Sequence, residues 1–142
     1  MSFDLKIVNN DLALNTDGTL QTVINNDKLI QDVVKIIITP LGSNKFFKWY
    51  GCTIGSRTIG VAFDATMTQM EIERSIQDSI TNLISLQKAQ SRTQYVSAGE
   101  SIASVQEISA LRNNEDPRQY EIYVFLLTRK LTIAETTFTL RV

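Results

Sequence analysis

The groups in this chain that could do acid–base chemistry are its carboxylates. Glu71 and Glu73 lie two residues apart, and Glu115 is followed directly by Asp116. Glycoside hydrolysis needs only two carboxyl groups flanking the bond, one as acid and one as base or nucleophile. The spacing here argues against it. Residues two apart on a helix point to different sides, and acids at 115–116 beside Pro117 are what a turn uses to bond its own backbone. Both pairs read as solvated carboxylates. The chain has no histidine and one cysteine, Cys52. Histidine triads, Cys–His dyads, histidine metal sites and an intramolecular disulfide are therefore excluded. With no base to activate it, Cys52 reads as a small buried apolar residue. Gly51, Gly55 and Gly60 have neither dinucleotide-loop nor P-loop spacing and read as turns. No catalytic, cofactor-binding or metal-ligating residue is assigned.

The other chemistry-bearing stretch is Lys45-Phe46-Phe47-Lys48-Trp49-Tyr50. From Lys35 to Arg57 the chain carries basic residues and no acidic one. Interleaved cations and rings can form a stacking platform for single-stranded nucleic acid. The whole chain has 14 basic and 15 acidic residues, a net charge of −1, so no global field draws it to nucleic acid or to an anionic membrane. Phe46, Phe47, Trp49 and Tyr50 are better read as core packing or as a protein-contact loop, since interfaces favour these ring types.

The elements around these residues follow from periodicity. Asp4 to Val8, Asp11 to Leu14 and Leu20 to Ile24 predict a small β-hairpin region turning at Asn15-Thr16-Asp17-Gly18. Asn25-Asn26-Asp27 offers helix caps, and Leu29, Ile30, Val33, Val34 and Ile37 keep helical spacing until Thr39-Pro40-Leu41-Gly42 stops the run. A second helix is predicted from a capping box at Thr68-Gln69-Met70-Glu71 to about Lys88, with Ile72, Ile76, Ile80, Leu83 and Ile84 as its stripe. On its solvent side Arg74 and Asp78 are placed to pair. Ile102 to Leu111 is a strand of imperfect alternation. Tyr120 to Leu127 has apolar residues on both faces and is expected to be central and covered on two sides. Phe138, Leu140 and Val142 alternate with Thr137, Thr139 and Arg141, so the chain ends in a strand.

These elements predict an α+β fold, a small mixed or antiparallel sheet packed on two main helices. At 142 residues and 43% hydrophobic composition, one globular domain over 1–142 is expected. The first residues do not form a signal peptide, and the apolar patch Val33 to Ile38 is broken by Lys35 and too short to span a bilayer. The expected site of synthesis and assembly is the cytosol.

The order of motifs resembles the baseplate wedge or sheath-initiator family of contractile phage tails, to which a type VI secretion baseplate component is related. The residues that carry the likeness are a β-start with "DLAL…DG", the run "TPLGSNKFFKWYG" closing the first helix, the long helix, and "DPRQYEIYVFLL…TTFTLRV". Gln90-Ser91-Arg92 stands where the family often has Glu-Pro-Arg. The segment from Cys52 to Asp64 looks longer than the family's usual form. Some family members have been labelled lysozyme-like, but no residue here supports hydrolysis.

The resemblance implies a structural protein without enzymatic activity or cofactor, present in six copies in the tail baseplate of a virion assembled in the host cytoplasm. Its implied partners are baseplate wedge proteins and tail sheath subunits, with no membrane and no nucleic acid. Docking on the wedge would fall to Arg92 and Gln90. Strand pairing with the first ring of sheath would fall to Phe138, Thr139, Leu140, Arg141 and Val142, where a proline at Leu140 is expected to remove a donor and block it.

Overall fold

The computed structural model describes residues 2–58 and 64–142, and the fold is α+β. It begins with four two-residue strands: β1 (Asp4–Leu5), β2 (Ile7–Val8), β3 (Asp11–Leu12) and β4 (Thr22–Val23). Three helices follow, α1 (Asn25–Ile38), α2 (Ile54–Thr58) and α3 (Ala65–Gln90). The chain closes with β5 (Ile102–Arg112), β6 (Gln119–Thr128) and β7 (Ile133–Arg141), an antiparallel sheet in the order β5-β6-β7.

The N-terminal hairpin turns twice. Asn9 and Asn10 both have positive φ, 51° and 65°, which asparagine tolerates and a two-residue hairpin turn requires. They join β2 to β3. Gly18, at φ 82°, makes the second turn at the expected Asn15–Gly18 site, after which Leu20 bridges back to Leu14 and β4 pairs with β1. Gln31 of α1 holds this unit. Its amide nitrogen donates to Asp4 Oδ2 at 2.9 Å and to Leu5 O at 2.7 Å, and its oxygen accepts Ile7 N–H at 2.9 Å.

Both helix starts differ from expectation. The residue preceding α1 is Ile24, which has no polar side chain to cap with. Asn25, at φ 52°, instead accepts Ser97 Oγ–H, and Asn26 reaches Ile133, so these side chains serve tertiary contacts. The α3 helix starts at Ala65, one turn before the Thr68–Glu71 box, because Asp64 caps it by accepting Met67 N–H at 2.7 Å. An aspartate at this position offers the same acceptor as the predicted threonine and adds a charge favourable to the helix dipole. Arg74 and Asp78 form no ion pair among the described residues.

The core lies between the helices and one face of the sheet. Leu29, Val33, Ile36 and Ile37 of α1 meet Ile72, Ile76, Ile80 and Leu83 of α3 over Ile122, Val124 and Leu126 of β6, all buried. Each such side chain contributes about 1.5–3 kcal/mol on burial. The β6 strand is central in order but covered on one side only. Tyr120, Ile122, Val124 and Leu126 are buried, whereas Tyr123, Phe125 and Leu127 on the other face are half-buried. Period-2 apolarity placed rings on both faces, but there is no second helical layer among the described residues to cover the far one. The poor alternation of β5 comes from two register shifts, between Ile102 and Ser104 and between Val105 and Glu107.

Candidate functional site

Two sheet edges, one turn and one loop hold the residues singled out by sequence. The edges are not equivalent. At the ends of the β6–β7 ladder, Thr128 N–H bonds Thr132 C=O at 3.0 Å and Val142 N–H bonds Arg118 C=O at 2.8 Å. Opposed residues alternate between bonded and unbonded pairs. Hence Ala134, Thr136, Phe138 and Leu140 turn their backbone toward β6, while Glu135, Thr137, Thr139 and Arg141 turn theirs outward. Ile133 C=O, outward by the same alternation, accepts Asn26 Nδ2–H at 3.2 Å. From Glu135 to Arg141 the outward N–H and C=O groups have no partner among the described residues.

This corrects the expected strand-pairing set. Of Phe138, Thr139, Leu140, Arg141 and Val142, only Thr139 and Arg141 offer backbone to an incoming strand. Phe138, Leu140 and Val142 pack against the core and bond inward. A proline at Leu140 would break the protein's own ladder rather than the free edge.

The outer edge of β5 is interrupted rather than free along its length. Asn113 N–H bonds Gln119 C=O at 2.8 Å, so the alternation points Ala110 N–H away from β6. Glu73 Oε1 on α3 accepts that N–H at 3.0 Å, and the same oxygen accepts Gln69 Nε2–H at 3.2 Å. Glu73 is therefore half-buried and bonded, not the solvated carboxylate its surroundings in sequence suggested. Together with the two bulges, it leaves β5 a poor template for another strand.

Arg92 follows α3 in a turn, exposed, with no hydrogen bond or ion pair to its side chain among the described residues. Gln90 ends the helix: its C=O accepts Thr93 N–H at 3.0 Å and Gln94 N–H at 2.9 Å. The turn therefore presents the Arg92 guanidinium outward from a fixed backbone.

The aromatic stretch is a closed loop. Thr39 C=O accepts Cys52 N–H at 2.8 Å and Cys52 C=O accepts Leu41 N–H at 3.0 Å, bringing the ends together. Gly51 at φ 125° permits the closure, because a Cβ there would lie 2.6 Å from Thr39 O. Cys52 is buried as expected. Ser79 Oγ–H donates to Gly51 O at 3.1 Å and Asn82 Nδ2–H to Trp49 O at 3.4 Å, which ties the loop to α3. Asn44 Oδ1 accepts the N–H groups of Phe46 and Phe47. Phe47, Trp49 and Tyr50 stack edge to face with centroids 5.7 and 6.3 Å apart. Tyr50 is half-buried against the core, but Phe46 is 90% exposed, Phe47 52% and Trp49 42%. The tip is thus a surface feature. Gly55 lies in α2 instead of a turn, while Gly60 and the adjoining part of the Cys52–Asp64 segment lie outside the described residues.

Among the described residues, carboxylates meet in open grooves. Asp4 and Asp32 share one with Tyr50, and Glu73 and Glu107 share a shallow one between α3 and β5. In the first, Asp32 bonds Lys28 Nζ at 2.8 Å and lies 3.0 Å from Lys35, which also pairs with Asp4. Burial alone would raise the Asp4 pKa, but the hydrogen bond and charge of Lys35, with Gln31, outweigh it and hold the carboxyl below its ordinary value. Lys28 continues this ladder to the buried Glu100, whose Oε2 lies 3.8 Å from it. The sequence carried no signal for this chain of charges, since its members come from three separate segments. No cluster of metal-ligating residues occurs among the described residues, and no described helix is long and apolar enough to cross a membrane.

No family model and no curated protein matches this chain. Among solved structures it is similar to a Geobacter sulfurreducens protein described as a "putative tail lysozyme", with a TM-score of 0.60 at 14% identity over 82% of this chain and 89% of that one. The two share a fold.

Proposed function

We propose that this chain is a structural component of a phage-type contractile tail, in which it sits in the baseplate, docks on the wedge and templates the first ring of sheath subunits. The observation that carries this reading is the difference between the two sheet edges. The β5 edge is interrupted by Glu73 on the Ala110 N–H and by two bulges, whereas the β7 edge offers unbroken backbone from Glu135 to Arg141. Strand addition to such an edge satisfies its donors and acceptors in register, at about 0.5–1.5 kcal/mol net for each hydrogen bond. The fold shared with a protein described as tail-associated supports the setting. The lysozyme part of that description is not carried over. Glu73 is committed to Ala110 N–H, and Asp4 and Asp32 are paired with Lys35 and Lys28, so none of these carboxyl groups is free to flank a glycosidic bond. The exposed Arg92 suits the wedge contact, since a guanidinium can bond carboxylates or carbonyls at a partner's surface.

The test is a proline at an outward-facing position. Thr139→Pro removes a donor from the free edge and leaves the β6–β7 bonds in place, while Thr139→Ala keeps the backbone. Electron microscopy of particles from producing cells should show baseplates on unsheathed tubes with the first variant and normal tails with the second. Normal sheaths on folded Thr139→Pro protein would rule out the β7 edge as the template.

A further inference from the structure

We infer that the aromatic loop of one copy docks on the open face of the β5-β6-β7 sheet of a second copy, head to tail. The two surfaces are complementary in charge and in apolar content. The loop is tied to α3 on the helical side, and presents Phe46, Phe47 and Trp49 between the exposed Lys45 and Lys48. The outer sheet face presents the half-buried Tyr123, Phe125 and Leu127. Around them stand three exposed acids, Glu107, Glu121 and Glu135. Pairing places Phe125 directly between Glu107 on β5 and Glu135 on β7, and Tyr123 Oη–H reaches Glu135 Oε2 at 3.4 Å. Arg141, opposite Gln119 on that face, lies 3.6 Å from Asp116.

Physical considerations favour a second copy as the occupant. The loop is closed at its base, so docking orders little that is not already ordered, and exposed rings on a fixed frame are the residues that dominate interface energies. Opposite charges around matched apolar centres set register and exclude the loop–loop and face–face pairings, in which like charges would meet. The contact therefore joins two different patches, which is a heterologous interface able to propagate or to close a ring. One loop on one sheet face is at the small end of interface sizes, so association in solution is weak and strengthened where copies are already gathered. Such a contact stands whether or not the chain belongs to a tail, and it leaves the β7 edge free.

Sedimentation velocity of the full chain across a concentration series, at low and high salt, tests this. Association should appear at low salt and weaken at high salt. Lys45→Glu with Lys48→Glu should weaken it by at least about tenfold, and so should Glu107→Lys with Glu135→Lys. The variant carrying all four changes should recover association, because its own loop and face are again complementary. Phe46→Ala with Phe47→Ala, changes at exposed positions that leave the fold intact by far-UV circular dichroism and thermal melting, should also abolish it. A chain that stays monomeric throughout, or association untouched by either charge reversal, or no recovery in the fourfold variant would overturn the proposal. Association through β7 edges would survive every loop substitution and is thereby separated from it.

Discussion

Glu73 on α3 accepts the backbone N–H of Ala110 on β5 at 3.0 Å, and that bond takes up a donor in the middle of the sheet's β5 edge. Ala110 is fully buried, so its N–H has no recourse to water if the carboxylate is removed. The asymmetry between the sheet's two edges rests on this contact, because the same helix has no counterpart over Glu135 to Arg141 among the described residues.

Glu73→Ala should destabilise the fold by about 1–3 kcal/mol, the cost of a buried donor left without a partner. Glu73→Gln keeps an acceptor in place and should lose less. Urea unfolding of both variants measures the difference. The same two proteins, with Glu71→Gln beside them, should resemble wild type in a peptidoglycan turnover assay by showing none. Turnover by wild type that either Gln variant abolishes would refute the structural reading.

Arg92→Ala should melt as wild type does, within about 0.5 kcal/mol, since its exposed side chain has no partner among the described residues. Its effect should appear in assembly: the folded variant fails to enter baseplates, as read by its absence from purified particles. Incorporation at the wild-type level would show that the wedge is held elsewhere.

Gly51→Ala should cost about 2 kcal/mol or more, because its Cβ would lie 2.6 Å from Thr39 O at a φ of 125° that alanine disfavours. The strain falls on the bridge between Pro40 and Cys52, so Trp49 should report it through an altered emission spectrum even where the helices persist. An unchanged melting curve and spectrum would mean that the loop closes by another route.

The Asp4–Lys35 pair should give the N-terminal hairpin a defined pH window. Burial alone would raise Asp4, but Lys35 and Gln31 outweigh it and lower its pKa from 3.8. Its contribution is complete above 3.8 and is lost as pH falls through the lowered folded value. Burial alone would lower Lys35, but Asp4 and Asp32 outweigh it and raise its pKa from 10.5. That contribution is complete below 10.5 and is lost as pH rises through the raised folded value. The melting-temperature gap between wild type and Asp4→Asn should therefore be constant between these limits and shrink outside both. A gap that changes steeply near neutral pH would assign the effect to other groups.

Local pattern by itself determined the two long helices, the three long strands and the turn at Asn15–Gly18, because period, proline and Asp-Gly act within a few residues. Its chemistry also excluded histidine and disulfide sites outright. What it misread required distant neighbours. Period-2 apolarity in β6 could not tell which face the helices would cover, and Tyr123, Phe125 and Leu127 were left outside. Alternation in β7 placed Leu140 on the core side correctly, but not the direction of its N–H, which depends on which opposed pair in the ladder is bonded. Glu73 meets Ala110 across 37 residues, and Asp4 meets Lys35 across 31. Partners so far apart leave no periodic trace, since their pairing is set by how α1 and α3 lie on the sheet. Only the tertiary structure decided which edge is interrupted, which is free and which aromatic rings reach the surface.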